Sequence, residues 1–315
     1  MPTPQTSAVV AQNAMLSNEA NLFPKEVSRD IWTNVLENSF VMQHGTKVDM
    51  PAGGKEFMWI ASDPTAAWVA EGGRKPNGKF SFANTRFSPY KAALTVSFSD
   101  EFKRDRASMY AAVKPRIATA LTNLFDAAVL HGIDVPGTGF STLAGAPKVV
   151  FDGSYSAAVE ALRKAAESKG TISGWGLGPL AEVSLYEQLD TTGRPLYVPN
   201  INTAGNLGSI LGKPVYIAEH LTHASATAPD TVGIAGPWNE LMWGYVEDIT
   251  YEEYDGPIFG SNGALIHAGR QDNMSTLIVE FEVGSLIRES DHFVRLIEGT
   301  RTGGTGTPET PDTDA

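Results

Sequence analysis

A short segment at residues 71–79, EGGRKPNGK, lies between two stretches that resemble strands. Four of its nine residues are Gly or Pro, so the chain must turn in the open there and cannot cross a core. The flanking stretches, residues 55–60 and 90–99, resemble the two arms of a strand pair, and Leu94, Val96 and Phe98 in the second alternate with polar residues. The sequence therefore predicts a long antiparallel pair of strands with a flexible tip that projects from the body of the protein.

Aromatic and basic side chains are concentrated on this predicted projection. Its aromatic residues, Phe87 included, would form an exposed apolar patch on a monomer, which favours an interface between subunits. A hairpin folded back on its own domain is the alternative. The tip is the most basic short segment of the chain. The predicted inter-subunit loop comprises Trp68, Glu71, Arg74, Lys75, Lys79, Phe80 and Phe82.

The projection is followed by a long predicted helix. Ser99 or Asp100 is a suitable N-cap, and the helix is expected to run to about Leu130 and to span about 46 Å. Pro115 predicts a kink or a break in it. One face is apolar, with spacings of three and four residues, and is formed by Met109, Val113, Ile117, Leu121, Leu124 and Ala128.

The two ends of the chain have little apolar content. Residues 1–50 are rich in Ser, Thr, Asn, Gln and Ala, with one helix-like patch at residues 27–40, which predicts an arm that does not fold alone. Residues 299–315 contain four Gly and two Pro and lack a large apolar side chain. This composition predicts a disordered tail.

Helices and strands are mixed in the rest of the chain. Ser154 is predicted to cap one helix, and Pro179 to begin another. The inward face of the first is predicted to contain Ala158, Val159, Leu162, Ala165 and Ala166. Predicted strands lie at residues 215–218, 231–235, 241–246, 274–283 and 293–297, and a turn at 192–195.

Composition excludes several classes of protein. The 24 Lys and Arg against 36 Asp and Glu give a net charge of −12, which disfavours direct binding of nucleic acid. The absence of Cys excludes disulfides and cysteine nucleophiles. The polar start of the sequence lacks the pattern of a signal peptide, and no long apolar run predicts a membrane span. We expect synthesis in the cytosol.

Motifs for catalysis or metal binding are weak, so no catalytic residue, metal or cofactor is predicted. Residues 174–178, GWGLG, resemble part of a dinucleotide fingerprint, and a turn is the preferred interpretation. His220 and His223 are interpreted as part of a solvated loop rather than as metal ligands. Glu247, Asp248, Glu252, Glu253 and Asp255 are interpreted as a charged face rather than as a calcium site or a glycosidase pair. Together with Glu280 and Glu282 they form the predicted acidic partner surface for the basic tip.

The order of these parts resembles that of the major capsid proteins of tailed bacteriophages with the HK97 fold, over residues 50–298. The segment AAWVAEGGRKPNGKFSF is similar to the family's extended loop. SDEFKRDRASMYAAVKPRIATALTNLFDAAVLHGI is similar to its spine helix, and GPLAEVSLYEQLDTTGRPLYVP with LGKPVYIAEHL to its axial domain. DNMSTLIVEFEVGSLIRESDHFVRL is similar to its last strands.

The resemblance implies an α+β, HK97-like capsid fold. It implies an N-terminal arm (1–50), an extended β-hairpin loop with its strands (51–98) and the long spine helix of a peripheral domain (99–134). An axial domain (135–270), closing strands of the peripheral domain (271–298) and the tail (299–315) follow.

The implied function is that of a structural major capsid protein that self-assembles into an icosahedral shell around phage DNA. The implied partners are copies of the chain in hexamers and pentamers, a separate scaffolding protein, a portal and a decoration protein. DNA is enclosed without specific binding, and no membrane is involved. The virion is the expected location, after assembly in the host cytoplasm.

Two alternatives and one covalent feature remain open at this point. An encapsulin-type nanocompartment would use the same fold, and an acid hydrolase would use the carboxylates near residue 250. Some relatives join a lysine to an asparagine across subunits. Lys75 and Lys79 lie at the tip, whereas Asn273 is the only asparagine near the late strand. We expect a shell without such a cross-link.

Overall fold

The computed structural model describes residues 25–62, 64–75, 77–99, 106–137, 139–188, 208–225, 229–260 and 262–299. Among side chains, those of residues 25–31, 61–62, 106–112, 114, 247 and 248 are not described. The helices are α1 (Lys25–Asn38), α2 (Phe40–His44), α3 (Arg106–Asp126), α4 (Tyr155–Glu167) and α5 (Pro179–Tyr186). A π-helical turn, Ala127–His131, extends α3.

The strands form two main sheets, a ribbon and a small hairpin. The first sheet has the order β1 (Thr46–Lys47), β10 (Leu241–Tyr254), β13 (Met274–Ile287), β4 (Tyr90–Ser99). The second has the order β5 (Lys148–Phe151), β14 (Val294–Glu298), β9 (Thr231–Gly236), β6 (Gly174–Leu177), β8 (Lys213–Ile217), β7 (Ser209–Ile210). The ribbon pairs β2 (Lys55–Ser62) with β3 (Ser81–Phe87), and the small hairpin pairs β11 (Ile258–Phe259) with β12 (Leu265–His267).

The projecting hairpin exists, but its predicted strand pairing is wrong. β2 pairs with β3, and the chain then turns at Ser88–Pro89 into β4, which pairs with β13 over ten residues. The alternation in β4 reflects one face packed on the core of the first sheet, with Leu94 and Phe98 partly buried against it. Both β3 and β4 have strand patterns, and period two alone cannot assign a partner.

The long helix α3 crosses the inner face of the first sheet. Ile117 and Leu121 are buried as predicted, whereas Leu124 is exposed and Phe125 takes its place in the core. The predicted break at Pro115 is wrong, since the helix continues from Arg106 to Asp126. Pro115 lies on the exposed side, where a carbonyl that loses its helical donor can bind water.

Residues 25–47, the second half of the predicted N-terminal arm, pack against the body of the subunit. The side chains of Trp32 and Val35 in α1 are buried in the main core. The ring of Trp32 meets that of Tyr245 edge to face, with centroids 4.9 Å apart, and lies 6.3 Å from that of Phe281. Residues 25–47 therefore pack on their own subunit, because the apolar face of α1 covers the sheet beside α3.

The second sheet has helices α4 and α5 on one face and contributes to the main core on the other. Ser154 caps α4 as predicted, accepting from the amide of Ala157 at 3.2 Å. The predicted apolar face of α4 is correct at Ala158 and Ala165, which are buried, but Val159 is exposed and Ala161 is buried in its place. Small residues on this face allow the helix to lie close to the sheet.

The predicted turn at residues 174–178 is wrong. Gly174–Leu177 form β6, a buried strand in the middle of the second sheet, and Pro179 begins α5 directly after it. The glycines are explained by close packing. A Cβ at Gly176 would lie 3.0 Å from the ring of Phe40, and one at Gly178 would lie 1.9 Å from the hydroxyl of Thr222.

Two strands pair across the predicted domain boundaries. β10, within residues 135–270, pairs with β13 in the first sheet, and β14, within residues 271–298, lies between β5 and β9 in the second. Chain order alone does not determine sheet membership, because roughly a third of sequential strands do not lie beside each other.

Some predictions concern residues outside those described. They are the arm before residue 25, the cap at Asp100, the turn at residues 192–195 and the tail after residue 299.

Candidate assembly surfaces

The β2–β3 ribbon has a firmly packed base. Phe87, at the end of β3, is fully buried beside Met50 and Leu286, and the ring of Phe57 packs on it at a centroid distance of 6.1 Å. Gly54 adopts φ +76°, and a Cβ there would lie 2.7 Å from the carbonyl oxygen of Phe87. The root of the ribbon is thus fixed to the first sheet.

Beyond its root, one face of the ribbon is apolar and open. Directly paired residues of an antiparallel ladder share a face, so Met58, Ile60 and Phe82 lie together, opposite Phe57 and Trp59. The side chain of Met58 is 71% exposed and that of Phe82 is 65% exposed. Within the described residues, the subunit does not cover this face.

The tip of the ribbon is also open. The amide of Gly73 donates to the carbonyl of Ala70 at 2.9 Å, and Gly72 adopts φ +78°, which together form a turn. Phe87 is the one aromatic residue of the predicted patch that is buried. All seven residues of the predicted inter-subunit loop are exposed: Trp68, Glu71, Arg74, Lys75, Lys79, Phe80 and Phe82.

The predicted acidic surface is divided between different parts of the first sheet. Side chains alternate along a strand, so Glu252, Glu280 and Glu282 share the outward face of the sheet. Glu253 is paired with the buried Leu277 and therefore lies on the inward face. Asp255 follows the end of β10 and forms an ion pair with Arg270 at 3.0 Å. For Glu247 and Asp248 the backbone alone is described, with Glu247 in register with Glu282.

One carboxylate of the outward face already has a basic partner. Lys91 Nζ lies 2.8 Å from Glu280 Oε2, and both side chains are partly exposed. Exposed pairs of this kind contribute little stability, so Glu280 stays accessible to a second cation. Glu252, Glu280 and Glu282 therefore form an acidic face on the uncovered side of the sheet, and we call these three residues the acidic face.

A buried carboxyl group connects α2 to the long helix. Asp126 is fully buried and accepts from the hydroxyl of Ser39 at 2.7 Å and from the amide of Phe40 at 2.8 Å. Burial raises the pKa of Asp126 to about 6, against the opposing effects of the Ser39 hydrogen bond and of the charge on His220. Ser39 also caps α2, accepting from the amide of Met42.

A neutral histidine and a buried arginine lie near the end of the long helix and the second sheet. His131 Nε2 donates to the carbonyl of His220 at 2.8 Å, and burial lowers the pKa of His131 to about 4. Arg295 is buried and donates to the carbonyl of Ala144 and to the hydroxyl of Thr231. The His131 contact fixes the end of the helix to the turn after β8, and the contacts of Arg295 join β14 to β9 and to the loop before β5.

His220 and His223, interpreted from the sequence as part of a solvated loop, are both partly buried. His223 forms a backbone bridge with Thr231, and the carbonyl of His220 accepts from His131. In the part of the chain that is described, no group of three or more His, Asp or Glu residues is arranged to hold a metal ion. A helix long and apolar enough to span a membrane is likewise not found among these residues.

Comparison with known proteins identifies the family. The model of the phage capsid family matches residues 19–296. This chain belongs to the phage capsid family. It is 26% identical to a probable major capsid protein of Mycobacterium phage L5, over 91% of this chain and 92% of the relative.

Solved structures of phage capsid proteins share the fold. A chain from Gordonia phage Cozz matches with a TM-score of 0.66 and 19% identity, covering 95% of this chain and 98% of that one. A chain from Microbacterium phage Oxtober96 matches with a TM-score of 0.67 and 18% identity, covering 92% and 98%. The predicted α+β, HK97-like fold is confirmed at this level.

In this member of the phage capsid family, sequence reasoning missed Asp126, His131 and Arg295. Asp126 and His131 stand at either end of the apolar run at residues 127–130, and a charge beside such a run is the signal that was available. Reasoning also missed the small hairpin β11–β12, whose strands are too short to give a periodic pattern.

Proposed function

We propose that this chain is a major capsid protein whose copies assemble into the icosahedral head shell of a tailed phage. Membership of the phage capsid family supports a structural role. The observation that carries the proposal is the ribbon, because its apolar face and its basic tip both project without cover from the described parts of the subunit.

An uncovered ribbon has a clear physical requirement. A two-stranded sheet is marginally stable in water and needs a further surface against its apolar face. A neighbouring subunit supplies that surface in a shell. The tip carries Arg74, Lys75 and Lys79 against Glu71, so a net positive charge faces the neighbour. The acidic face of the first sheet is the complementary partner in this proposal.

The domains of the capsid fold are assigned by sheet rather than by chain order. In this proposal the first sheet with α3 forms the peripheral domain, which includes β10. The second sheet with α4 and α5 forms the axial domain, which includes β14. The end of α3 and residues of both sheets share one core, so the two parts are packed directly against each other.

The proposal includes partners that follow from shell assembly. Hexamers and pentamers of this chain enclose double-stranded DNA without specific contacts, since a charge of −12 repels phosphate. A scaffolding protein, a portal and a decoration protein complete the head, which assembles in the host cytoplasm. No catalytic role is part of the proposal.

Assembly of the purified chain tests this function. Light scattering and electron microscopy are expected to show capsomers or closed shells, formed alone or on co-expression with the scaffolding protein. A stable monomer of 33.7 kDa at high concentration under both conditions would contradict the proposal. Nucleic acid inside isolated particles supports a phage head, whereas an enclosed enzyme would indicate a nanocompartment.

A further inference from the structure

The ribbon tip contains an asparagine followed directly by a glycine, Asn77 and Gly78. In such a pair the backbone amide of the glycine can attack the side-chain amide of the asparagine, because glycine has no Cβ to hinder the approach. The sequence contains one other pair of this kind, Asn262 and Gly263, in the turn of the small hairpin β11–β12. The same two residue types thus occur in two different local structures.

At the ribbon tip both reacting groups are accessible. Residues 77–80 lie outside the helices and strands, just before β3 begins at Ser81, and the side chain of Asn77 is exposed. In the part of the chain that the structure describes, neither the Asn77 side chain nor the Gly78 amide has a hydrogen-bond partner. The attacking nitrogen and the carbonyl carbon are therefore free to approach each other.

The pair in the small hairpin is also exposed but is held by hydrogen bonds. The amide of Gly263 donates to the carbonyl of Gly260 at 2.9 Å, so the attacking nitrogen is already engaged. The side-chain oxygen of Asn262 accepts from the amide of Ala264 at 3.0 Å, which fixes the group that would be attacked. Both hydrogen bonds must break before the same reaction occurs at Asn262.

The charge around the two pairs differs as well. The three basic residues of the tip all lie within four residues of Gly78 in the sequence. Attack requires the Gly78 amide to lose its proton, and neighbouring positive charges favour the anion that results. Around Asn262, residues 256–268 contain no Lys or Arg. Local charge and hydrogen bonding thus both favour reaction at the ribbon tip.

We propose that Asn77 is a site of spontaneous deamidation in this chain. The Gly78 nitrogen loses its proton and forms a bond to Cγ of Asn77, and Nδ2 takes up a proton and leaves as ammonia. The cyclic imide that results takes up one water, which breaks one of its C–N bonds and leaves aspartate or isoaspartate. The net change is one water consumed, one ammonia released and one carboxylate gained.

The added carboxylate bears on assembly, and this part of the inference rests on the proposed function. The net charge of the tip, residues 71–79, falls from +2 to +1, which weakens its attraction to the acidic face of a neighbour. Packing of the tip on a neighbour also restricts the approach of the Gly78 amide to the Asn77 side chain. Free subunits should therefore react faster than assembled ones, and the product should assemble less well.

Incubation of the purified chain at neutral pH tests the reaction itself, whether or not the protein assembles. Peptide mass spectrometry is expected to show Asn77 converting about tenfold faster than Asn262, since one hydrogen bond corresponds to a factor of up to about ten. A protein isoaspartyl methyltransferase assay detects the isoaspartate product independently. The difference should shrink in urea, which removes the hydrogen bonds that protect Asn262. Equal rates in the folded chain, or a difference that urea leaves unchanged, would overturn the proposal.

Two variants separate the reaction from its effect on assembly. Asn77→Gln keeps a neutral amide but forms the larger ring slowly, so it should resist conversion and assemble like freshly prepared parent. Asn77→Asp has the charge of the product from the start, and it should share a reduced assembled fraction with aged parent in sedimentation. Equal assembly of the two variants would overturn the effect on assembly while the mass spectrometry decides the reaction. A parent chain that remains a monomer refutes the proposed function itself.

Discussion

Single buried polar groups determine how separate segments of this subunit meet. Asp126 joins α2 to the long helix, and Arg295 joins β14 to the loop before β5 and to β9. A buried group of this kind is costly when unpaired, so each hydrogen bond also specifies which segments pack together. Substitution of Asp126 or Arg295 should therefore alter the stability of the isolated subunit.

The raised pKa of Asp126 predicts a specific dependence of stability on pH. The unfolded carboxyl ionises near 3.8 and the folded one near 6, so the folded state binds more protons between these values. Stability from this group is complete below pH 4 and is lost as pH rises to 6. Asp126→Asn removes this dependence. The free energy of unfolding of the parent minus that of the variant, from urea titrations at pH 4, 5, 6 and 7, should fall with rising pH.

Two controls accompany that measurement. Ser39→Ala removes one donor to the carboxylate, so it should raise the pKa of Asp126 further and extend the loss to higher pH. Asp134→Asn changes an exposed carboxyl group after the long helix and should leave the pH dependence close to that of the parent. Parallel curves for the parent and Asp126→Asn would contradict the prediction.

Phe87 and Phe82 both lie on β3, but we expect their substitution to have different effects, one on subunit stability and the other on assembly. Phe87→Ala leaves a cavity at the root of the ribbon and is expected to cost about 3–5 kcal/mol of subunit stability. Phe82→Ala removes an exposed side chain, so it should leave stability nearly unchanged but weaken assembly. Urea unfolding of the subunit and sedimentation of the assembled protein measure the two effects. A large loss of subunit stability in Phe82→Ala would show that the ribbon folds back on its own subunit.

Among the elements, the ribbon tip is the one whose charge bears on assembly. Its basic residues face away from the subunit, and the acidic face of the first sheet is the proposed partner on a neighbour. An exposed pair contributes only about 0.2–1 kcal/mol, but a shell repeats the contact at every subunit.

Reversal of the tip charges tests this contact. A variant with Arg74, Lys75 and Lys79 changed to Glu should keep the circular dichroism of the parent and lose assembly, or assemble only at high salt, which screens repulsion. The matched control changes Arg116, Lys148 and Lys169 to Glu, which alters net charge equally at exposed sites elsewhere. If the tip variant assembles like the parent at low salt, Trp68, Phe80 and Phe82 hold the contact without electrostatics.

The sequence pattern predicted where helices and strands lie better than it predicted which strands pair with each other. The alternation in β13 and the cap at Ser154 identified a strand and a helix correctly, because each depends on residues close in sequence. The turn at Ser88–Pro89 separates β3 from β4. Because of this turn, β3 pairs with β2 and β4 pairs with β13. Local pattern cannot distinguish these partners.

The candidate surfaces were predictable to the extent that they depend on exposure. The seven residues of the loop are exposed because Gly and Pro surround them, which the sequence shows directly. The acidic residues were predicted as one surface, but strand alternation places Glu253 away from Glu252. The small hairpin β11–β12 was missed, since strands of two and three residues give no periodic pattern.

At the scale of the whole molecule, we predict a shell held without covalent bonds between subunits. Asn273, the amide nearest the late strand, adopts a left-handed conformation at the turn before β13 rather than lying in the strand. The chain also has no Cys. Particles heated in denaturing detergent should give one band at the mass of the monomer. A ladder of larger bands that disappears in Lys75→Arg or Lys79→Arg would identify a bond to Asn273.

The position of β14 between β5 and β9 has a consequence for how the protein is made. β5 is synthesised early, yet its partner β14 follows about 140 residues later, so the second sheet stays open until Val294–Glu298 have left the ribosome. A chain that stops short of Val294 exposes the edges of β5 and β9, which favours aggregation. Incomplete translation products thus lack a finished second sheet, and we expect them to be excluded from assembly, so that β14 acts as a check on the length of every subunit.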